Sequence, residues 1–111
     1  MADPEQKVRS IGYEFAREQE ARGCAAELER RFTEQEIMGL RIYRVRWNGD
    51  YLVEATFGQD VPERRVQDAR AILGELGAPV HPDDLEDYKR ATMAGFNEGL
   101  PTWIRRLFGG R

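Results

Sequence analysis

Cys24 and His81 are the single thiol and the single imidazole of the chain, so nucleophilic or metal chemistry would have to start from them. A Cys–His pair works only when both side chains come within hydrogen-bond reach and a third group orients the base. Cys24 follows Gly23 in an alanine-rich stretch and reads as a small core residue. Only a helix break at Gly23 would place it at a new helix N-terminus with a lowered pKa. His81 stands between Val80 and Pro82, ahead of Asp83 and Asp84, and reads as a loop residue beside a helix cap. One histidine among carboxylates has no recognised ligand spacing, so no metal site is expected. Glu14 and Glu18 could form an acid–base pair, but they lie among Arg17, Glu20 and Arg22, the composition of a solvated helix face. GxGxxG, Walker, HExxH and CxxC patterns do not occur. No catalytic, cofactor-binding or metal-binding residue is therefore expected.

Recognition chemistry is better represented. The basic residues are 15 Arg and 2 Lys, balanced by acids to a net charge of −3 and a pI near 5.3. Arginine supplies a planar fork for bidentate and stacking contacts. Two basic features stand out: Arg44 and Arg46 near a turn, with Glu54 beyond it, and Arg105, Arg106 and Arg111 at the C-terminus. Residues 100–111 carry three positive charges and no acid. There Trp103, Ile104, Leu107 and Phe108 fall on one side of a helical turn, with Arg105 and Arg106 on the other. Trp and Arg are common interface anchors. Arg44, Arg46, Glu54, Trp103, Arg105, Arg106 and Phe108 are thus the expected partner-binding residues.

These side chains need elements to position them. Asp3-Pro4-Glu5-Gln6 has the form of a helix start, with Val8, Ile11 and Phe15 as one apolar stripe and Ala21, Ala25, Leu28 and Phe32 as another, so residues 1–38 read as helical. Thr33-Glu34-Gln35-Glu36 is a capping box. Residues 39–58 read as an antiparallel β-hairpin turning at Asn48-Gly49-Asp50. A three-residue loop would set Trp47 against Tyr51, Val45 against Val53 and Tyr43 against Ala55 on an apolar face, leaving Arg44 opposite Glu54 on the polar one. Two helices follow over 59–99. The first is capped at Asp60 and buries Val66, Ala69, Leu73 and Leu76. It stops at Gly77 and Pro79. The second is capped at Asp83 or Asp84 and buries Leu85, Tyr88, Thr92 and Phe96. Residues 100–111 form the amphipathic end.

The expected fold is a single α+β domain ordered α-β-β-α-α: a long N-terminal helix, one hairpin, two helices and a short C-terminal helical segment. A hairpin is marginal alone and leaves two strand edges open to another chain. The lean apolar content, 24 Leu, Ile, Val and Phe in 111 residues, favours burial against a second copy. The expected function is that of a small non-enzymatic interaction or regulatory protein whose partner is another protein, possibly itself as a homodimer. Nucleic-acid binding through the same arginines is the alternative, and a small enzyme or ligand-binding domain with a pocket between hairpin and helices is a further one. No cofactor is expected. Lone Cys24 and the lack of an apolar span point to a cytoplasmic protein without a membrane segment.

Overall fold

The structure, a computed structural model, describes residues 9–45 and 47–90. Seven elements follow in order: β1 (Arg9–Phe15), α1 (Glu18–Arg31), β2 (Ile37–Arg44), β3 (Tyr51–Phe57), α2 (Glu63–Gly74), β4 (Ala78–Val80) and α3 (Pro82–Arg90). The strands make one antiparallel sheet in the order β2-β3-β1-β4. β1 and β2 flank β3, while β3 and β4 flank β1, so two β-α-β units interlock through one sheet. This is the ferredoxin-like arrangement of a four-stranded sheet.

The fold is α+β as expected, with two corrections to its order. Residues 9–15 are a strand rather than part of a long helix. Ile11 and Phe15 are four apart, a spacing that suits a helix turn and a strand face equally. Tyr13 decides between them, because Ile11, Tyr13 and Phe15 are all buried while Ser10 and Glu14 are half-buried on the other face. The second correction is β4, which pairs Gly12 with Val80, Tyr13 with Pro79 and Glu14 with Ala78. Pro79 is tolerated there because β4 is an outer strand and its missing N–H costs no ladder bond.

Helices α1 and α2 cover one sheet face. Ala21, Cys24, Ala25 and Leu28 from α1 and Val66, Ala69 and Leu73 from α2 pack on Ile11, Tyr13, Phe15, Leu40, Ile42, Val53, Ala55 and Phe57. The expected stripes of both helices hold, except that Leu76 lies past the end of α2 and is 58% exposed. α1 runs unbroken through Gly23. The capping-box bonds form, Glu36 N–H to Thr33 Oγ1 (3.2 Å) and Thr33 N–H to Glu36 Oε1 (2.9 Å), but they close a turn that leads directly into β2. Gly39 therefore lies within β2, just after a register shift between Ile37 and Gly39. α2 begins after Pro62, and Asp60 does not cap it.

The hairpin register also differs. Leu40 faces Ala55, Ile42 faces Val53, Tyr43 faces Leu52 and Arg44 faces Tyr51. The loop is longer than three residues. It closes through Val45 N–H to Asp50 O (2.7 Å), Asp50 N–H to Asn48 Oδ1 (2.9 Å), and Gly49 at φ +76°, the left-handed region open to glycine. An offset of three is odd, so Tyr43 and Val53 occupy opposite faces. The apolar-against-polar criterion fails here because the second face is not solvent: α3 lies on it. Tyr43, Val45, Leu52 and Leu85 form a second small core there, with Val80 and Tyr88 at its edge.

Candidate functional site

Of the expected partner-binding residues the structure describes Arg44 and Glu54, and these lie on opposite faces of the sheet. Arg44 ends β2 on the α1/α2 side of the sheet, its guanidinium 5.5 Å from the Tyr51 ring centre. Its Nε is buried and makes no hydrogen bond among the described residues. Glu54 lies on the opposite face, pairs in register with Arg41 rather than Arg44, and is 6% exposed under α3. There it accepts hydrogen bonds from Tyr43 Oη (3.2 Å) and Lys89 Nζ (3.0 Å). Burial is the largest single influence on the Lys89 ammonium and works against it, but the hydrogen bond and charge of Glu54, with the charges of Tyr43 and Glu86, together hold its pKa above the ordinary lysine value. Glu54 is thus a clamp for α3, not an outward contact. Arg46, Trp103, Arg105, Arg106 and Phe108 lie outside the described residues, as do Thr92 and Phe96.

Both reactive-type residues serve the fold. His81 Nδ1 accepts the Asp83 N–H (3.0 Å) and its carbonyl accepts the Asp84 N–H (2.8 Å), which caps α3 as a loop residue beside a helix start would. Cys24 is buried, its thiol 3.8 Å from the Ile72 carbonyl oxygen. Burial, then the charges of Glu75 and Glu20, push its pKa up, the opposite of nucleophile activation. The expected helix face of Glu14 and Glu18 does not exist, since Glu14 is in β1 and Glu18 in α1.

Two arrangements emerge that the sequence did not announce. One is a carboxylate pair at the hairpin loop. Glu14 accepts hydrogen bonds from Asn48 Nδ2 (2.7 Å) and Tyr88 Oη (3.1 Å), and its bond to Asp50 raises the Asp50 pKa, with burial adding to the shift. Trp47 packs edge-on against Tyr88 at 4.9 Å, so the cluster ties the loop to α3. Its parts come from positions 14, 47–50 and 88, and no local pattern joins them.

The other is a groove of about 790 Å³ between the outer sides of α1 and α2. The helices run antiparallel, because Arg65 in the first turn of α2 bonds the Arg31 carbonyl at the end of α1 (2.9 Å). Gly23, Cys24, Phe32, Ala71, Ile72 and Leu76 supply its small and apolar lining; Glu20, Glu27, Asp68 and Glu75 alternate with Arg31 and Arg65 around it. Both arginines are committed. Arg31 pairs with Glu27 (2.6 Å), and Arg65 bonds Glu36 (3.1 Å) and Asp68 (3.2 Å) while lying 4.0 Å over the Phe32 ring. Among the described residues Glu20 and Glu75 carry no ion pair, and both act on Cys24, so the field at that end of the groove is negative. Gly23 is exposed at mid-helix, and among the described residues a side chain there would meet nothing within 4 Å. Glycine in a helix interior costs about 0.5–1 kcal/mol relative to alanine. Neither a turn nor a packed neighbour among the described residues accounts for it here. Gly23 was the available sequence signal, legible as a bend but not as a groove floor.

No family model, curated protein or solved structure matches this chain.

Proposed function

We propose that this protein is a small non-catalytic interaction module that receives a basic, apolar-faced helical segment of another protein in the α1–α2 groove. The observation that carries the reading is the groove around Gly23: open at the helix backbone, apolar along its floor, and negative where Glu20 and Glu75 stand. A helix laid between two helices is anchored by its apolar face, and a small residue lets its backbone approach closely. Unpaired carboxylates favour lysine or arginine on the incoming segment and oppose acidic ones. Glu54 is buried and Arg44 stacks on Tyr51, which favours the groove over these two residues as the contact surface.

The test uses the full ¹⁵N-labelled chain and two synthetic amphipathic peptides of equal length, one leucine–lysine and one leucine–glutamate. The lysine peptide is expected to shift amides of residues 19–31 and 65–76, and Gly23→Arg is expected to abolish those shifts without lowering Tm. Equal shifts from both peptides, or shifts centred on β2, would sink the reading.

Self-association through β2 is a second reading. It is favoured by the outer position of this eight-residue strand and by Met38, 56% exposed beside its register shift. A mass that stays monomeric at hundreds of micromolar would exclude it.

A further inference from the structure

The alternating hydrogen bonds of an antiparallel pair fix which main-chain groups of β2 face outward. Val45 N–H bonds the Asp50 carbonyl (2.7 Å), in the same register that pairs Tyr43 with Leu52 and Arg41 with Glu54. Gly39, Arg41 and Tyr43 therefore turn their main-chain groups toward β3, and Leu40, Ile42 and Arg44 turn theirs away from it. β2 is an outer strand, so among the described residues those outward N–H and C=O groups have no ladder partner. β4, at the opposite edge, offers less, because it has three residues and one of them is Pro79. The side chains of β2 are unbalanced as well. Its sequence, Ile-Met-Gly-Leu-Arg-Ile-Tyr-Arg, holds two cations and no acid. Glu54 stands in register with exposed Arg41, but its oxygens are taken by Tyr43 and Lys89. Arg44 is half-buried over Tyr51, and its buried Nε makes no hydrogen bond among the described residues.

We infer that β2 accepts an extended acidic segment of another protein as an added outer strand. This goes beyond the groove reading, since it uses a different surface and a partner of the opposite charge. Strand addition draws affinity from main-chain bonds and selectivity from alternate side chains. Arg41 and Arg44 are three residues apart and so belong to opposite sheet faces, Arg41 on the α3 side and Arg44 on the α1/α2 side. An incoming strand with two acids at that same spacing presents one carboxylate to each face. Met38, exposed beside the register shift, adds an apolar contact toward the start of β2. Charge also argues against a second copy at this edge. A copy would bring two more cations and no acid, and like charges set across neighbouring strands are destabilising. Charged edge strands are one way in which proteins avoid pairing with themselves. The same charge admits a strand of opposite sign.

The experiment uses the full ¹⁵N-labelled chain and three synthetic peptides. One is Thr-Val-Glu-Val-Thr-Asp-Val-Thr, the second has Gln and Asn in place of its two acids, and the third is the acidic sequence N-methylated at alternate residues along one edge. Amide shifts are read together with hydrogen exchange at Leu40, Ile42 and Arg44. The acidic peptide is expected to shift the amides of residues 39–44 and, at saturation, to slow exchange at those three by about tenfold. The neutral peptide is expected to bind about fivefold more weakly, and the N-methylated one not at all. Arg41→Gln is expected to lose most of the preference for acid with Tm near the wild-type value, because Arg41 is exposed. Equal affinity for the acidic and neutral peptides, binding of the N-methylated peptide, shifts at residues 19–31 and 65–76 in place of β2, or no shifts would each overturn the inference. Protection of the three amides in the free monomer would mean that the chain itself covers the edge. Protection that rises with concentration as the sedimentation mass doubles would assign the edge to a second copy. Either result overturns the inference and leaves the groove reading standing.

Discussion

Arg65 ties several described elements together. It joins the turn before β2 through Glu36, the end of α1 through the Arg31 carbonyl, its own helix through Asp68, and the core through the Phe32 ring. Arg65→Ala should cost about 1–3 kcal/mol in urea unfolding, since charged hydrogen bonds and ring packing are lost together. Lysine should restore only part, because it lacks the fork. The hydrogen bond from Arg65 is the largest cause lowering the Glu36 pKa. A lowered folded pKa stabilises above the unfolded carboxylate value and ceases to do so as pH falls through the folded one. The gap between wild type and Arg65→Ala should thus be full at pH 7 and narrow below about pH 4. Asp50 behaves with the opposite sign. Its pKa is raised by the bond to Glu14 and by burial, so it favours the fold at low pH and loses that as pH rises through its folded value. Asp50→Asn should raise stability by a few tenths of a kcal/mol at pH 7, a size set by partial exposure, and the gain should vanish near pH 3.

Within the elements, two glycines with similar local sequence signals have opposite reasons. A Cβ at Gly77 would sit 2.6–2.9 Å from three ring atoms of Phe15, which is 1% exposed and cannot yield. Gly77→Ala should cost on the order of 1–3 kcal/mol by overpacking. A Cβ at Gly23 meets nothing among the described residues, so Gly23→Ala should stabilise by about 0.5–1 kcal/mol. Thermal or urea melts of the two variants would show shifts of opposite direction. The elements themselves were unevenly legible. α1 and α2 carry clean 3.6-residue stripes, Ala21-Ala25-Leu28 and Val66-Ala69-Leu73, whose buried faces match the sequence pattern. β1 was hidden because Ile11 and Phe15 fit either period, and β4 because three residues containing a proline read as a helix stop. In the hairpin the strands were visible, whereas their register depended on α3, which turns the presumed solvent face into a second core.

For the molecule as a whole, the two sheet faces are held very differently. One is sealed by two helices and a cluster that includes Phe15, Leu28, Leu40, Ile42, Phe57 and Leu73. The other is covered by α3, which buries Leu85, half-buries Tyr88, and is pinned by Lys89 to Glu54. With so few buried contacts among the described residues, α3 should open at lower free energy than the sheet. Native-state hydrogen exchange should find the α3 amides less protected than those of β1 and β3. Leu85→Ala should widen that difference while leaving exchange of the central strands nearly unchanged. Uniform protection across α3 and the sheet would instead mean that α3 unfolds only with the whole.

By itself the sequence determined an α+β chain without a recognisable catalytic motif, the buried stripes of α1 and α2, the structural roles of Cys24 and His81, and a strand pair around Asn48-Gly49. Those properties rest on periodicity and turn chemistry acting within a few residues. Tertiary structure decided which strands neighbour which, that Arg44 and Glu54 face opposite ways, and that Glu14 meets Asp50. It also decided that Gly23 opens onto a groove rather than marking a break. Each of these joins residues far apart in the chain, and their partners are chosen by which faces the packed layers cover.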